Sequence, residues 1–286
     1  MMKNDRIRMG ADIGGSHITA ALVDAKTERI VSESCIRAKV DSKASADVII
    51  DSWAAVLKNV MEQAVRPVAS LGIAMPGPFD YIAGISLMNG NDKYESLYGL
   101  NIKELLSGAT GIPAQHIHMS NDAGCFLRGE VLAGTMKHCK SAVGVTLGTG
   151  LGTSRYKNGE AADADLWNMP FMNGIAEDYI STRWFLKRFR ERTGQTVANV
   201  EELAGLYDSN TEVGALFEEF ARHLASFLHG FVTTDNPEVI VLGGNIARAG
   251  RYFMPEVIAN LRSMHIDIPV HMATLGEDAL ILGAAL

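Results

Sequence analysis

The stretch Ala11-Asp12-Ile13-Gly14-Gly15-Ser16-His17-Ile18-Thr19 decides how this chain is read. A β-rich run enters it from Ile7 and another leaves it toward Val23, so the glycine pair reverses the chain between two strands. Glycine adopts dihedrals closed to other residues and leaves backbone N–H groups open to oxygen anions. Asp12, just ahead of the turn, has no basic neighbour in sequence, which leaves room for Mg2+ or water between its carboxylate and a phosphate. The motif is neither the lysine-containing P-loop nor GxGxxG. An ordinary tight turn has the same composition, and His17 reads as a hairpin side chain.

Working outward, residues 7–13, 16–23 and 29–36 predict an antiparallel three-stranded start. Val48, Ile49, Trp53, Val56, Leu57, Val60, Met61 and Ala64 then recur at helical spacing, and Pro67 stops that helix before a buried strand at 68–75. A strand–helix–strand succession of this kind builds an α/β sheet. A short helix at 102–106, a strand at 115–119 and a helix at 123–132 follow. A second β-rich block opens at Ser141 with alternating Val143, Val145 and Leu147, and a further strand is expected at 153–156. Beyond it, helices are expected at 176–189, 253–261 and 278–286, strands at 239–242 and 269–272 (an edge), and a helix whose core face is Phe217, Phe220, Leu224, Phe227, Leu228 and Phe231. The chain thus reads as two related β-then-helix halves with no tandem repeat, dividing near 119–122.

Three further clusters carry chemistry. Thr146-Leu147-Gly148-Thr149-Gly150-Leu151-Gly152-Thr153 repeats the glycine turn after a strand, with hydroxyls added; it suits ATP phosphates or a tightly packed hairpin. Asn121-Asp122 follows a strand and precedes a helix, a place where either residue can cap the helix and a carboxylate can accept a proton from an attacking hydroxyl. Val239 to Asn245 ends a strand in Gly243-Gly244, which lets an adenine or ribose approach the backbone or simply meets the demands of the connection. Gly283-Ala284-Ala285 reads as a close-packing helix surface.

Composition narrows the classes. The 286 residues favour two domains at roughly 150 each. A 47% hydrophobic and 21% charged chain supports a sizeable core. With 26 Lys plus Arg against 33 Asp plus Glu, the net charge of −7 and the lack of a long basic run argue against nucleic acid as a partner. Cys35, Cys125 and Cys139 have no zinc-site spacing and read as core residues in a reducing compartment. No signal segment or lipid-spanning run is evident, so a cytoplasmic protein without a membrane partner is expected.

Taken in order, the blocks resemble the ROK family of sugar kinases and related repressors. Asp12-Ile13-Gly14-Gly15-Ser16 is similar to its amino-terminal phosphate motif, and Gly72-Ile73-Ala74-Met75-Pro76-Gly77-Pro78 to its second block. Asn121-Asp122-Ala123 with Gly129-Glu130 resembles the segment carrying the catalytic aspartate, which would be Asp122. Leu147 to Gly152 resembles the second phosphate loop, Leu242-Gly243-Gly244 the nucleotide-side loop, and Leu275 to Ala285 the terminal helix. The resemblance implies a bilobal actin-like ATPase (ribonuclease H-like) α/β fold, two α/β domains around a central cleft. Residues 1–119 with a helix at 276–286 would form one lobe, and 120–275 the other, carrying sugar- and nucleotide-binding elements and dimerisation helices. It implies ATP and Mg2+, a hexose or N-acylated amino sugar as acceptor, and a homodimer. The repressor branch carries an added amino-terminal DNA-binding domain, for which a motif starting at Asp12 leaves no room.

One segment departs from the family. Many relatives carry a Glu-x-Gly-His element and then a cysteine-rich zinc site. Here Ala164 to Pro170 and Phe171 to Ala176 stand instead, so the sugar-contacting Glu and the zinc-linked His fall near Asp165 and Asn168, and no zinc ligands are carried over. Glu177 resembles the final sugar-side Glu. A Trp167/Phe171 packing cluster is expected to replace the metal, and no structural zinc is expected. Asn89, Gly90, Asn91 and Asp92 form a polar loop suited to sugar hydroxyls or to solvent, Gly77 shapes the pocket, and Asn121 adjoins the proposed base.

Overall fold

Strand β1 (Ile7–Ile13) buries Met9, Ala11 and Ile13, and pairs antiparallel with β2 (His17–Asp24) from Ile7 opposite Asp24 to Ile13 opposite Ile18. The reversal therefore falls on Gly14, Gly15 and Ser16. The structure, a computed structural model, describes residues 7–90, 93–134, 136–137 and 139–286. The single strand expected at 29–36 is two, β3 (Arg29–Ile30) and β4 (Ile36–Lys39), both paired with β2. Glu33 takes a left-handed φ of 65°, and the buried Ser34 hydroxyl accepts the Leu22 amide at 3.0 Å in place of a strand carbonyl.

Helix α1 (Ala46–Glu62) buries Ile49, Ile50, Trp53, Val56, Leu57 and Val60, whereas Val48 of the expected stripe faces solvent. Strand β5 (Val68–Ala74) pairs parallel with β1; the hairpin β6 (Phe79–Asp80) and β7 (Ile85–Ser86) and helix α2 (Ile102–Thr110) come next. Strand β8 (Ile117–Ser120) then joins β5 in parallel and leads into α3 (Asp122–Leu132). The sheet order is β3-β2-β1-β5-β8.

The second unit repeats this plan. Strands β9 (Ser141–Leu147), β10 (Leu151–Lys157) and β11 (Glu160–Asp163) are antiparallel neighbours. The hairpin β12 (Pro170–Phe171) and β13 (Gly174–Ile175) precedes helices α4 (Ala176–Tyr179), α5 (Thr182–Thr193), α6 (Val200–Gly205) and α7 (Thr211–Asp235). Strand β14 (Val239–Gly243) pairs parallel with β9, and after α8 (Met254–Ser263) the edge strand β15 (Val270–Met272) pairs parallel with β14. With β3 and β4 counted as one interrupted strand beside β2, the order β11-β10-β9-β14-β15 is again third, second, first, fourth, fifth. The two related halves read in the sequence share one topology. Phe217, Phe220, Leu224, Phe227, Leu228 and Phe231 of α7 are all buried, each worth on the order of 1.5–3 kcal/mol against exposure.

The last helix, α9 (Asp278–Ala285), packs in the first unit, which comprises residues 1–138 and 277–286; the second is 139–276. The boundary thus lies after 138 rather than after 119, because α3 packs on α9, which itself packs on β1 and β5. Glycines make that packing possible. A Cβ on Gly72 would stand 1.8 Å from the Ala284 carbonyl oxygen, one on Gly10 2.1 Å from that of Ile281, and one on Gly129 2.0 Å from that of Ala279. Among the described residues no helix is long and apolar enough to cross a membrane. Cys125 is buried, but Cys35 is exposed and not a core residue, since it lies in the irregular segment between β3 and β4.

Candidate active site

In the first unit Asp12 lies opposite Ala74, and Ala74 opposite Ser120, so the parallel strands β1, β5 and β8 end together. Such ends gather side chains from distant parts of a chain at one edge. Asn121 caps α3: its Oδ1 accepts from the amides of Ala123 at 2.8 Å and Gly124 at 3.4 Å. Asp122 is the first helical residue, with Oδ1 accepting from the Ala123 amide at 2.9 Å. The half-buried Asp12 carboxyl is pushed up to about 7 by burial first, then by the Asp122 and Glu277 carboxylates, while Arg37 pulls it down. Arg37 itself is engaged by Glu277 at 2.5 Å. Asp12 and Asp122, 110 positions apart in sequence, thus sense each other's charge.

The first glycine turn is braced from behind. Gly14 donates its N–H to the His17 carbonyl at 2.9 Å, and its own carbonyl accepts from the Tyr94 hydroxyl at 2.6 Å. Tyr94 is buried edge-on against Trp53, 5.3 Å between ring centres, and burial pushes its phenol up to about 12. The Lys93 side chain lies on Gly15, where an added Cβ would meet Nζ at 2.7 Å. Ser16 Oγ and His17 Nδ1 are 2.9 Å apart on the exposed side of the hairpin. Near Gly77, the Tyr81 hydroxyl donates to the Met75 carbonyl at 2.9 Å and accepts from Asn121 Nδ2 at 3.4 Å. Asn89 and Gly90 are exposed; Asn91 and Asp92 lie outside the described residues. Sequence reading missed Tyr81, Lys93 and Tyr94, whose one signal is adjacency to the Gly77 and Asn89 loops.

In the second unit Gly148-Thr149-Gly150 occupies the same topological place, the reversal between first and second strands. Gly148 donates to the Gly150 carbonyl at 3.1 Å. Glu177 Oε2 accepts the Leu151 amide at 2.9 Å, would meet a Gly150 Cβ at 2.5 Å, and shares its carboxylate with Arg183. The helix expected at 176–189 is broken between α4 and α5, with Ser181 extended. The break has a physical return: the Thr182 amide, at the start of α5, donates to the Gly148 carbonyl at 2.8 Å.

Asp165 is exposed at φ 51° and accepts from Trp167 Nε1 at 2.9 Å, while the Trp167 carbonyl accepts the Glu177 amide at 3.0 Å. Among the described residues Asp165 is therefore tied to Glu177 through Trp167. The expected Trp167/Phe171 packing cluster does not form: Trp167 is 41% exposed. Phe171 instead meets Tyr179 and His223 edge-to-face at 5.6 and 6.4 Å, and an indole tied to Asp165 cannot also fill that space. Gly244 has a structural reason of its own: φ is 88°, and a Cβ would stand 2.4 Å from the Leu147 carbonyl oxygen. Gly243 pairs opposite Thr146.

The residues suit an anionic nucleotide. The amides of Gly15, Ser16, Thr149 and Gly150 donate to no acceptor among the described residues, and Lys93 adds an ammonium at Gly15. A carboxyl pushed up to about 7 by burial first, and then by two carboxylates, gains from a nearby divalent cation, so Asp12 fits Mg2+. No group of three or more His, Cys, Asp or Glu placed to hold a metal occurs among the described residues, so phosphate oxygens would have to supply most of its ligands.

The ROK family model matches residues 8–163 and 172–286. The unmatched 164–171 falls within the departing segment. An N-acetyl-D-glucosamine kinase of Haemophilus influenzae is 22% identical over 96% of this chain and 97% of its own length. The solved ROK hexokinase of Thermus thermophilus is similar with a TM-score of 0.83 at 22% identity, covering 98% of this chain and 97% of that one. A ROK glucokinase of Streptomyces griseus, solved with glucose and AMPPNP, gives 0.78 at 21% identity over 98% of each chain.

Proposed function

We propose, on the premise that this chain belongs to the ROK family, that it is an ATP-dependent sugar kinase acting on a hexose or related sugar. The observation that carries the reading is the placement of two carboxyls where three parallel strands end: Asp12 on the first strand, pushed up by burial and then by Asp122, and Asp122 heading the helix after the third. Asp122 is the general base. It accepts the proton of a sugar hydroxyl as that oxygen bonds to the γ-phosphorus, while the bond from phosphorus to the β,γ-bridging oxygen breaks and ADP departs. No phosphoenzyme forms.

Asn121 sets the helix start and offers its amide to the sugar, Gly77 lies beside the Tyr81 hydroxyl that Asn121 bonds, and Asn89 offers a further amide. The amides of Gly15 and Ser16 suit phosphate oxygens, as separately do those of Thr149 and Gly150, while Gly14 and Gly148 spend their own amides on closing the two turns; Gly243 and Gly244 serve the nucleoside side. Glu177 links sugar recognition to the second turn through the Leu151 amide, with Asp165 joined to it by Trp167. Mg2+, when bound with ATP, supplies charge neutralisation at the phosphates beside Asp12.

A panel of hexoses and N-acylhexosamines with Mg-ATP, read by mass and carbon-position NMR, tests the reading. An ATP-dependent sugar phosphate is expected; none at high enzyme and substrate concentration sinks it. A second reading, a noncatalytic sugar or nucleotide binder, is motivated by the unmatched residues 164–171. Calorimetric binding without turnover would favour it. The homodimer implied by the family resemblance is expected in light scattering; a monomer at assay concentrations rejects it.

A further inference from the structure

The open edge of the first sheet carries a second pocket, of ≈ 760 Å³, that this chemistry does not use. Strand β8 alternates there, burying Ile117 and Met119 and turning His118 and Ser120 toward the other face. Lys103 of α2 and Arg128 of α3 also line it, as do Arg8 and His116. No Asp or Glu side chain is among its described lining. Arg8 is engaged by the carbonyls of Ala285 at 3.0 Å and Leu286 at 2.9 Å, and Lys103 donates to that of Ile82 at 2.7 Å. Arg128 differs: its Nε is buried with no hydrogen-bond partner.

The charges here act on one another. His118 is held below the ordinary imidazole range by burial first, then by Lys103, His116, Arg8 and Arg128. A concave surface that gathers like charges raises the local concentration of counter-ions. Its size lies in the range of small-molecule sites, and Ala69 and Ile82 give it apolar surface. A planar guanidinium, an ammonium and the Ser70 and Ser120 hydroxyls suit a tetrahedral dianion on a small carbon skeleton better than a flat monoanion.

We propose that this pocket binds a phosphomonoester, the phosphate held by Arg128, Lys103 and Ser120 and the carbon skeleton against Ala69 and Ile82. The site also touches the segment that positions Asp122. Tyr81 lines the pocket and bonds Asn121, the cap of α3, and Arg128 lies on α3 itself. A bound ester thus contacts the helix directly through Arg128 and reaches its cap through Tyr81.

Calorimetry on the full chain without ATP tests the proposal, using glucose 6-phosphate, inorganic phosphate and glucose as probes. Glucose 6-phosphate binding is expected to weaken at least tenfold in Arg128→Met and in Lys103→Met, the scale of one charge-assisted hydrogen bond. Lys103→Met removes an exposed ammonium and guards against a folding defect in the α3 variant. A heat that survives both substitutions unchanged overturns the site. Equal affinity for inorganic phosphate would keep it and identify free phosphate as the source. A soaked crystal must show density at Arg128; density elsewhere alone refutes the assignment. Because no turnover is measured, failure here is distinct from failure of the kinase reading.

Discussion

Asp12→Asn isolates the buried carboxyl at the centre of the first unit's site. In the native state this group is pushed up to about 7 from 3.8. Below 3.8 the native and unfolded chains both hold the proton, and Asp12 adds no pH dependence. Between 3.8 and about 7 the native state keeps a proton that the unfolded chain has lost, so stability falls as pH rises. Above that window both are ionised and the loss is complete. Each pH unit is worth about 1.4 kcal/mol, giving roughly 4 kcal/mol across the window, which residual solvent around a half-buried side chain lowers to about 2–3 kcal/mol. The amide does not titrate, so the variant should gain that amount relative to wild type between pH 4 and pH 8. The measurement is urea unfolding across that range, with Trp167 and Trp184 replaced by Phe so that fluorescence reports Trp53, buried in the same unit. Saturating Mg-ATP should then stabilise wild type more than the variant. Stability curves that run parallel across the range would refute a carboxyl raised by burial and by Asp122.

Asp122→Asn keeps the side-chain size and leaves the Asn121 cap untouched, so thermal unfolding and ATP binding should stay near wild type while sugar phosphorylation falls by roughly 10²-fold or more; a near wild-type rate removes Asp122 as base. Gly72→Ala drives a methyl group into the Ala284 carbonyl and should cost about 1–3 kcal/mol, seen as faster hydrogen exchange in α9. Gly108→Ala, a helical position with open space, should instead be neutral or stabilising by up to about 1 kcal/mol, and equal effects of the two would contradict the close-packing account. Selective zinc chelation should leave circular dichroism and Mg-restored activity unchanged; a stoichiometric zinc found by elemental analysis, whose removal unfolds the chain, would defeat that expectation.

The sequence by itself determined whatever local chemistry dictates. Gly14-Gly15 and Gly148 to Gly150 read as reversals between extended runs, the phenylalanines of α7 as a core face, and Asn121-Asp122 ahead of Ala123 as holding a cap, because turn dihedrals, helical period and cap hydrogen bonds all act within a few residues. Contacts over long separations were another matter. That Gly10, Gly72 and Gly129 seat a helix from the far end of the chain is invisible in a motif, since a glycine kept for close approach and one kept for a turn are written alike. The break at Ser181 needed the Gly148 carbonyl to receive an amide 34 residues on, and the fate of Trp167 was settled by Asp165 rather than by its own hydrophobicity. Only the tertiary structure set Asp122 within electrostatic reach of Asp12, because that effect depends on burial and on which charges the sheet brings together, quantities no single stretch of sequence contains.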